Sequence, residues 1–185
     1  MPPKVRITKE QIIDKAFEIL KAEGFSSISA RRLSKELNCS TQPIYYIFEN
    51  MEDLKKGLYR KGCAYFEQRV MELKDKSRPE LDFLEVGVAY IKGAKLEHNI
   101  FHFICMENNY TMKGVSELVS GVPLMKAQAE IFLNVWLYAH GIASIIANND
   151  VVFNEEEIRK LLKKAYRGFG GQAGEEGKEG EAYEI

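Results

Sequence analysis

The chain has 185 residues, 45% of them apolar, with 26 Lys and Arg against 27 Asp and Glu and a formal net charge of −1. That length allows one large or two small domains around a substantial core, and the three scattered cysteines, Cys39, Cys63 and Cys105, exclude a disulfide framework and suit a reducing compartment. The charge is unevenly placed: residues 1–61 hold 12 Lys and Arg and 8 Asp and Glu, and residues 62–185 hold 14 and 19, so an anionic partner is expected for the front end only.

Residues 1–20 are charged throughout, so no signal peptide is expected. The first helix opens on a capping box, Thr8 with Gln11, in which each side chain can bond the other's backbone N–H. Ile7 and Ile12 flank it as a hydrophobic staple. Ile12, Ile13, Ala16, Phe17 and Leu20 follow at helical spacing, and Gly24 ends the helix. A short second helix starts from Ser29, with Ile28 and Leu33 as its staple and Leu33 and Leu37 on its buried face. Asn38 suits the left-handed residue of a tight turn. Ser40 then caps a third helix, with Pro43 in the first turn, where a missing N–H costs little.

Helix, short helix, turn and short helix make a helix-turn-helix whose last member is the recognition element. The stretch STQPIYYIF, residues 40–48, fits that role. Ser40, Thr41 and Gln42 form an exposed first turn, while Ile44 and Phe48 anchor inward. Tyr45 and Tyr46 cannot both face one core, so at least one phenol points outward, where it can donate to a phosphate.

Asn50 caps a fourth helix, with Glu52 and Asp53 in its first turn. Its stripe runs through Leu54, Leu58, Phe66, Val70 and Leu73, interrupted by Gly57 and Gly62 as close-packing sites. Pro79 suits the start of a fifth helix, marked by Leu81, Leu84, Val88 and Ile91. Ile100, Phe101, Phe103 and Ile104 mark a sixth, and residues 107–122 read as irregular or weakly helical. From Leu124 the spacing is heptad-like: Leu124, Gln128, Ile131, Val135, Tyr138, Ile142, Ile145. Phe132, Trp136, Leu137 and Ala143 lie opposite, so this helix needs cover on nearly every side, and a second subunit would supply it. The apolar run 131–147 carries Asn134, His140 and Ser144 and is read as a buried helix rather than a membrane span. Asn154 caps a last helix, with Glu155, Glu156 and Glu157 in the first turn, Lys163, Lys164 and Arg167 near the end, and Phe153 and Ile158 as a staple. The glycine-rich, acidic tail from residue 169 reads as disordered.

Over residues 7–60 the sequence resembles the TetR family of bacterial transcriptional regulators. ITKEQIIDKAFEILKAEGFSSISARRLSKELNCSTQPIYYIFENMEDL follows the family's helix-turn-helix pattern without gaps. A weaker resemblance covers Trp136 to Tyr166, where W-x3-H-G (Trp136, His140, Gly141) and the acid-capped last helix look like the family's dimerisation helices. The resemblance implies an all-α fold: a DNA-binding head over residues 1–50, a ligand-binding and dimerisation body over 51–168, and the tail 169–185. It places Arg31, Thr41 and Gln42 at base-reading positions and Ser29, Tyr45 and Tyr46 at phosphate-contacting ones, with Ser40 beside them. Three departures stand out. Asn38 replaces the usual turn glycine, Ile47 the usual histidine, and Met51 the usual lysine. Fewer phosphate anchors imply weaker, less salt-dependent binding, or compensation by Lys4, Arg6 and Lys9.

The implied function is that of a cytoplasmic homodimeric repressor on a palindromic operator, released by a small apolar or aromatic ligand. Phe66, Phe83, Val86, Tyr90, Phe101, Phe103, Met106, Tyr110 and Trp136 are the expected pocket lining. Leu124, Ile131, Val135, Tyr138, Ile142, Ile145, Leu161 and Leu162 are the expected dimer interface. No catalytic constellation is legible, and no cofactor, resident metal or membrane is expected. The alternatives are a DNA binder without effector, or a metal-dependent helical enzyme. The latter would use His98, His102 and Cys105, whose spacing could place three ligands on one helical face with Glu107 or a water as the fourth; pocket lining or packing is the competing account of the same residues. His140 is expected to be a hydrogen-bonded structural histidine in the dimer core, and Cys39 to pack.

Overall fold

The computed structural model describes residues 7–78, 82–107, 126–149, 151 and 153–170. The described residues form helices and contain no strand. Helices α1 (Lys9–Glu23), α2 (Ala30–Glu36) and α3 (Gln42–Ile47) make the front end, with a single 3-10 turn, Phe25–Ser27, between the first two. Then come α4 (Met51–Leu73), α5 (Asp82–Leu96), α6 (His98–Cys105), α7 (Lys126–Asn148) and α8 (Glu155–Gly168).

The helix starts follow the local chemistry. The Thr8 hydroxyl accepts from the Gln11 backbone N–H at 3.2 Å while the Gln11 side-chain Oε1 accepts from the Thr8 N–H at 2.9 Å. Ser29 accepts from Arg32 N–H and Asn50 from Asp53 N–H. Asn154 and Glu157 complete a second reciprocal box. Each satisfies first-turn donors that have no helical partner. Asn38 takes the turn at φ 51° and Gly24 leaves α1 at φ 84°, conformations that asparagine tolerates and glycine adopts without strain.

Helix α5 is the hub of the body, packed against α4, α6, α7 and α8. Helix α1 rests on α4 and α6, so head and body share one apolar core running from Ile12 to Leu162. Glu85 lies inside that core, 1% exposed, and is held by a two-pronged ion pair to Arg159 of α8 at 2.7 and 3.1 Å. Buried charge is costly unless paired in this way. The acid pushes the Arg159 guanidinium further up from its ordinary value. Lys92 joins Glu155 at 2.6 Å across the same α5–α8 seam.

Several expectations need correction. Helix α3 starts at Gln42, not directly after a Ser40 cap: Thr41 holds the cap position, its backbone already helical (φ −72°, ψ −15°), and makes no side-chain cap bond. Among the described residues Ser40 makes none either, so both hydroxyls stay uncommitted. Val135, Ile142 and Leu162, expected at a dimer interface, are buried in the chain's own core. Among the described residues, the large apolar side chains of α7 that face outward are Leu133, Leu137, Tyr138 and Ile145, around the exposed Gly141. Ile131 and Leu161 are half-buried. Phe153 is exposed while Ile158 is buried, so the staple expected before α8 leaves one of its two residues uncovered. Segment 130–148 is, among the described residues, the one stretch long and apolar enough to cross a membrane by length and composition; here it packs on α5, α6 and α8. Leu124, Tyr110, Pro79, the segment 108–122 and the tail 171–185 lie outside the described residues.

Candidate nucleic-acid interface

Two apolar anchors fix the orientation of α3. Ile44 and Phe48, four residues apart, are each 1% exposed. Their burial turns the intervening residues outward: Tyr45 is 59% and Tyr46 84% exposed. So much uncovered aromatic surface on a six-residue helix is unusual unless it meets something. Both phenols, not just one, are therefore presented. Gln42 is exposed at the start of α3, and Thr41 is half-buried beside it. On α2, Ser29 is exposed; its oxygen accepts from Arg32 N–H at 3.1 Å, which leaves its hydroxyl hydrogen free to donate.

Arg31 and Arg32 differ in their commitments. Arg32 donates to Glu36 at 2.9 Å and to both oxygens of Glu23 at 2.8 and 3.3 Å, tying α2 to the end of α1. The Arg31 guanidinium is exposed and, among the described residues, makes no ion pair. A guanidinium is a planar fork of donors, a shape that can pair with the edge of a guanine. Lys9 lies over the Phe48 ring at 5.1 Å, which holds one cation at the front of the head. Arg6 and Lys4 lie outside the described residues. Of the residues expected to meet nucleic acid, Ser29 caps α2, Arg31 lies on α2, Ser40 and Thr41 precede α3, and Gln42, Tyr45 and Tyr46 lie on α3; all are exposed except the half-buried Thr41. A shallow, open recess is lined by Ser34, Lys35, Asn38 and Cys39, at the end of α2 and in the turn after it.

The expected pocket lining divides in two. Tyr90 sits among Phe66, Phe101 and Trp136, with ring centroids at 5.6, 5.9 and 6.2 Å. Phe83 lies on the same helix against Phe132 of α7 and Tyr166 of α8, and Val86 is half-buried between. Phe103 faces the other way and stacks on Phe25 of the head at 4.9 Å. Met106 is exposed at the end of α6. Sequence spacing missed two polar features here: the partner of His140, and Glu85. The Tyr90 hydroxyl and His140 Nδ1 are 2.8 Å apart, and His140 stacks flat on Trp136 at 5.0 Å. Burial raises the Tyr90 phenol and lowers His140. The phenol therefore keeps its proton and donates it to a neutral imidazole. His140 is a hydrogen-bonded structural histidine as expected, but it belongs to the α5–α7 seam of its own chain. Glu85 is the second: an acid within the apolar run LDFLEVGV is its only sequence signal.

The His98, His102 and Cys105 set does not converge. Cys105 turns inward to the Tyr90 hydroxyl, 3.8 Å away, and burial pushes its thiol up to about 12. His102 turns to Glu107 at 3.1 Å. No group of three or more potential metal ligands is found among the described residues.

No family model matches the chain. Over 94 residues it is 23% identical to an uncharacterised HTH-type transcriptional regulator, YobS, of Bacillus subtilis (strain 168), a match covering 51% of this chain and 49% of that protein; it thus spans about half the length of the curated relative. Three solved structures are similar over most of the chain. A TetR-family member from Streptomyces coelicolor A3 has a TM-score of 0.60 at 19% identity, covering 86% of this chain and 98% of its own. A TetR-like transcriptional regulator from Rhodococcus sp. RHA1 has a TM-score of 0.59 at 14% identity, covering 93% and 100%. The multidrug-binding protein EbrR, complexed with malachite green, has a TM-score of 0.58 at 18% identity, covering 88% and 98%. The chain has the all-α fold of these TetR-family regulators.

Proposed function

We propose that the chain is a DNA-binding transcriptional regulator: a homodimeric repressor on a palindromic operator in the bacterial cytoplasm, released when a small apolar or aromatic molecule enters its body. The observation that carries this is the outward set on α2 and α3. Arg31 is uncommitted, the Ser40 and Thr41 hydroxyls are unspent on capping, and Tyr45 and Tyr46 are exposed on a helix whose other face is anchored. Base-edge donors and neutral phosphate donors lie together, as a recognition helix requires. Two further features support the rest. The outward stripe Leu137, Tyr138, Gly141 and Ile145 suits a second copy related by a two-fold axis. The aromatic cluster around Tyr90 suits an aromatic ligand, and EbrR, whose fold is similar, is complexed with malachite green, an aromatic dye.

The test is selection of genomic fragments from the source organism by the purified protein, followed by footprinting. A protected two-fold site, bound at least a hundredfold more tightly than a scrambled duplex at the same salt, is expected. Equal affinity for both duplexes would overturn the operator-binding reading. Light scattering on the free protein and the complex reads the number of chains per site.

A further inference from the structure

We propose that Asn99 of α6 is the positioning residue that latches the head to the body, by capping the far end of α1. The proposal rests on the regulator reading above. The last turn of a helix leaves carbonyls without helical partners. In α1 the Leu20 carbonyl accepts from Gly24 N–H at 3.0 Å, while the Lys21 carbonyl accepts from the Asn99 carboxamide N–H at 2.9 Å. The cap thus comes from a residue 78 positions downstream, in another part of the fold. A Cβ on Gly24 would sit 3.6 Å from Asn99 Oδ1, ordinary contact distance, so the carboxamide lies against the turn itself.

Asn99, Phe103 and Glu107, spaced four residues apart, tie α6 and its end to the head, the first two directly and the third through Lys55 of α4. Phe103 stacks on Phe25. The Glu107 carbonyl accepts from the Lys55 ammonium at 3.3 Å, and that ammonium also covers the Phe25 ring at 4.9 Å. The other face of α6 carries Phe101 and Cys105, both against Tyr90, which is bonded to His140. An eight-residue helix cannot shift one face and leave the other in place. Displacement of α6 at Tyr90 therefore pulls on the end of α1, and the Lys21–Asn99 bond sets whether the head follows.

The test compares Asn99→Asp and Asn99→Ala with wild type, alone and combined with Tyr90→Phe. The aspartate has the asparagine's shape but lacks the N–H donor, and it sets a carboxylate against a carbonyl-bearing helix end, where negative charge is disfavoured. Hydrogen exchange of the amides at residues 20–28 should quicken about two- to tenfold in both variants, with Asn99→Asp at least as fast as Asn99→Ala. Wild-type exchange in Asn99→Asp would show that Asn99 only fills space, and would overturn the latch. On the duplex recovered by the genomic selection, Tyr90→Phe should change affinity in the wild-type background and leave it unchanged in the Asn99→Asp background. The same fold-change in both backgrounds would overturn the coupling. If the wild type selects no duplex, the regulator reading falls, and the exchange experiment still decides the latch.

Discussion

Arg31 and Arg32 are neighbours on α2 that serve different ends, and their substitution should separate recognition from stability. Arg32 spends its guanidinium on Glu23 and Glu36. Arg31 spends its own on nothing among the described residues. Arg31→Ala should leave the melting temperature within error and relax preference at one base pair per half-site, by about 1–3 kcal/mol. Arg32→Ala should lower the melting temperature and keep the preference. Thermal melts and competition with single-base operator variants check both, and a swap of the two outcomes would reassign the roles. His140 offers a second test at this scale. Burial lowers its proton affinity below the ordinary 6.5. The unfolded chain then takes up a proton before the folded one does, so stability is full above pH 6.5 and falls as pH drops below it. The lowered carboxylates, Glu72, Asp75 and Glu155, act only at more acidic pH, below their ordinary values of 4.5, 3.8 and 4.5. Urea unfolding between pH 7 and 5 should therefore show a decline that His140→Gln flattens; an equal slope in the variant would show that His140 is not its source.

At the scale of elements, what was legible in the sequence was what neighbours in the chain decide. The Thr8–Gln11 and Asn154 caps, the left-handed Asn38 and the outward tyrosines each follow from residues within a turn or two. Ser40 misled because serine and threonine stand side by side before Gln42 and neither makes a cap bond. The faces of α7 were not legible, because a helix apolar all round has no polar side to orient it. Packing on α5 and α8 decides that Val135 and Ile142 point in and Leu137, Tyr138 and Ile145 point out. The proposed interface therefore shifts around the helix. Ile145→Glu should yield a folded chain of monomer mass by light scattering, with its helical circular dichroism retained. Val135→Glu should lose helicity, since it buries a charge without a partner in the chain's own core. Dimer mass in Ile145→Glu would move the interface elsewhere.

At the scale of the whole molecule, the contacts that join head to body link residues far apart in sequence, and no local pattern announces them. Asn99 with Lys21 and Phe103 with Phe25 are such pairs, and Glu85 with Arg159 is a pair as distant within the body. The glycines of α4 are the exception: they interrupt an apolar stripe, and each marks a close approach. Gly57 meets the head and Gly62 meets the body, which makes them a matched pair of probes. A Cβ on Gly57 would come 2.8 Å from Cδ1 of Ile13, the far end of a side chain that can turn away. A Cβ on Gly62 would come 3.0 Å from Cγ2 of Ile104, a methyl on a β-branched carbon with little rotameric freedom. Alanine in a helix interior favours folding by about 1 kcal/mol over glycine. At Gly57 that gain should survive, because only the tip of Ile13 must move. At Gly62 it should be lost, because α6 must back away and strain its Phe103 and Asn99 contacts with the head. Gly57→Ala is therefore expected to melt at or above the wild-type temperature, and Gly62→Ala below it with faster hydrogen exchange at residues 20–28. Should Gly62→Ala gain stability and leave that exchange unchanged, α4 and α6 move apart without disturbing α1, and the head is held by α4 rather than by α6.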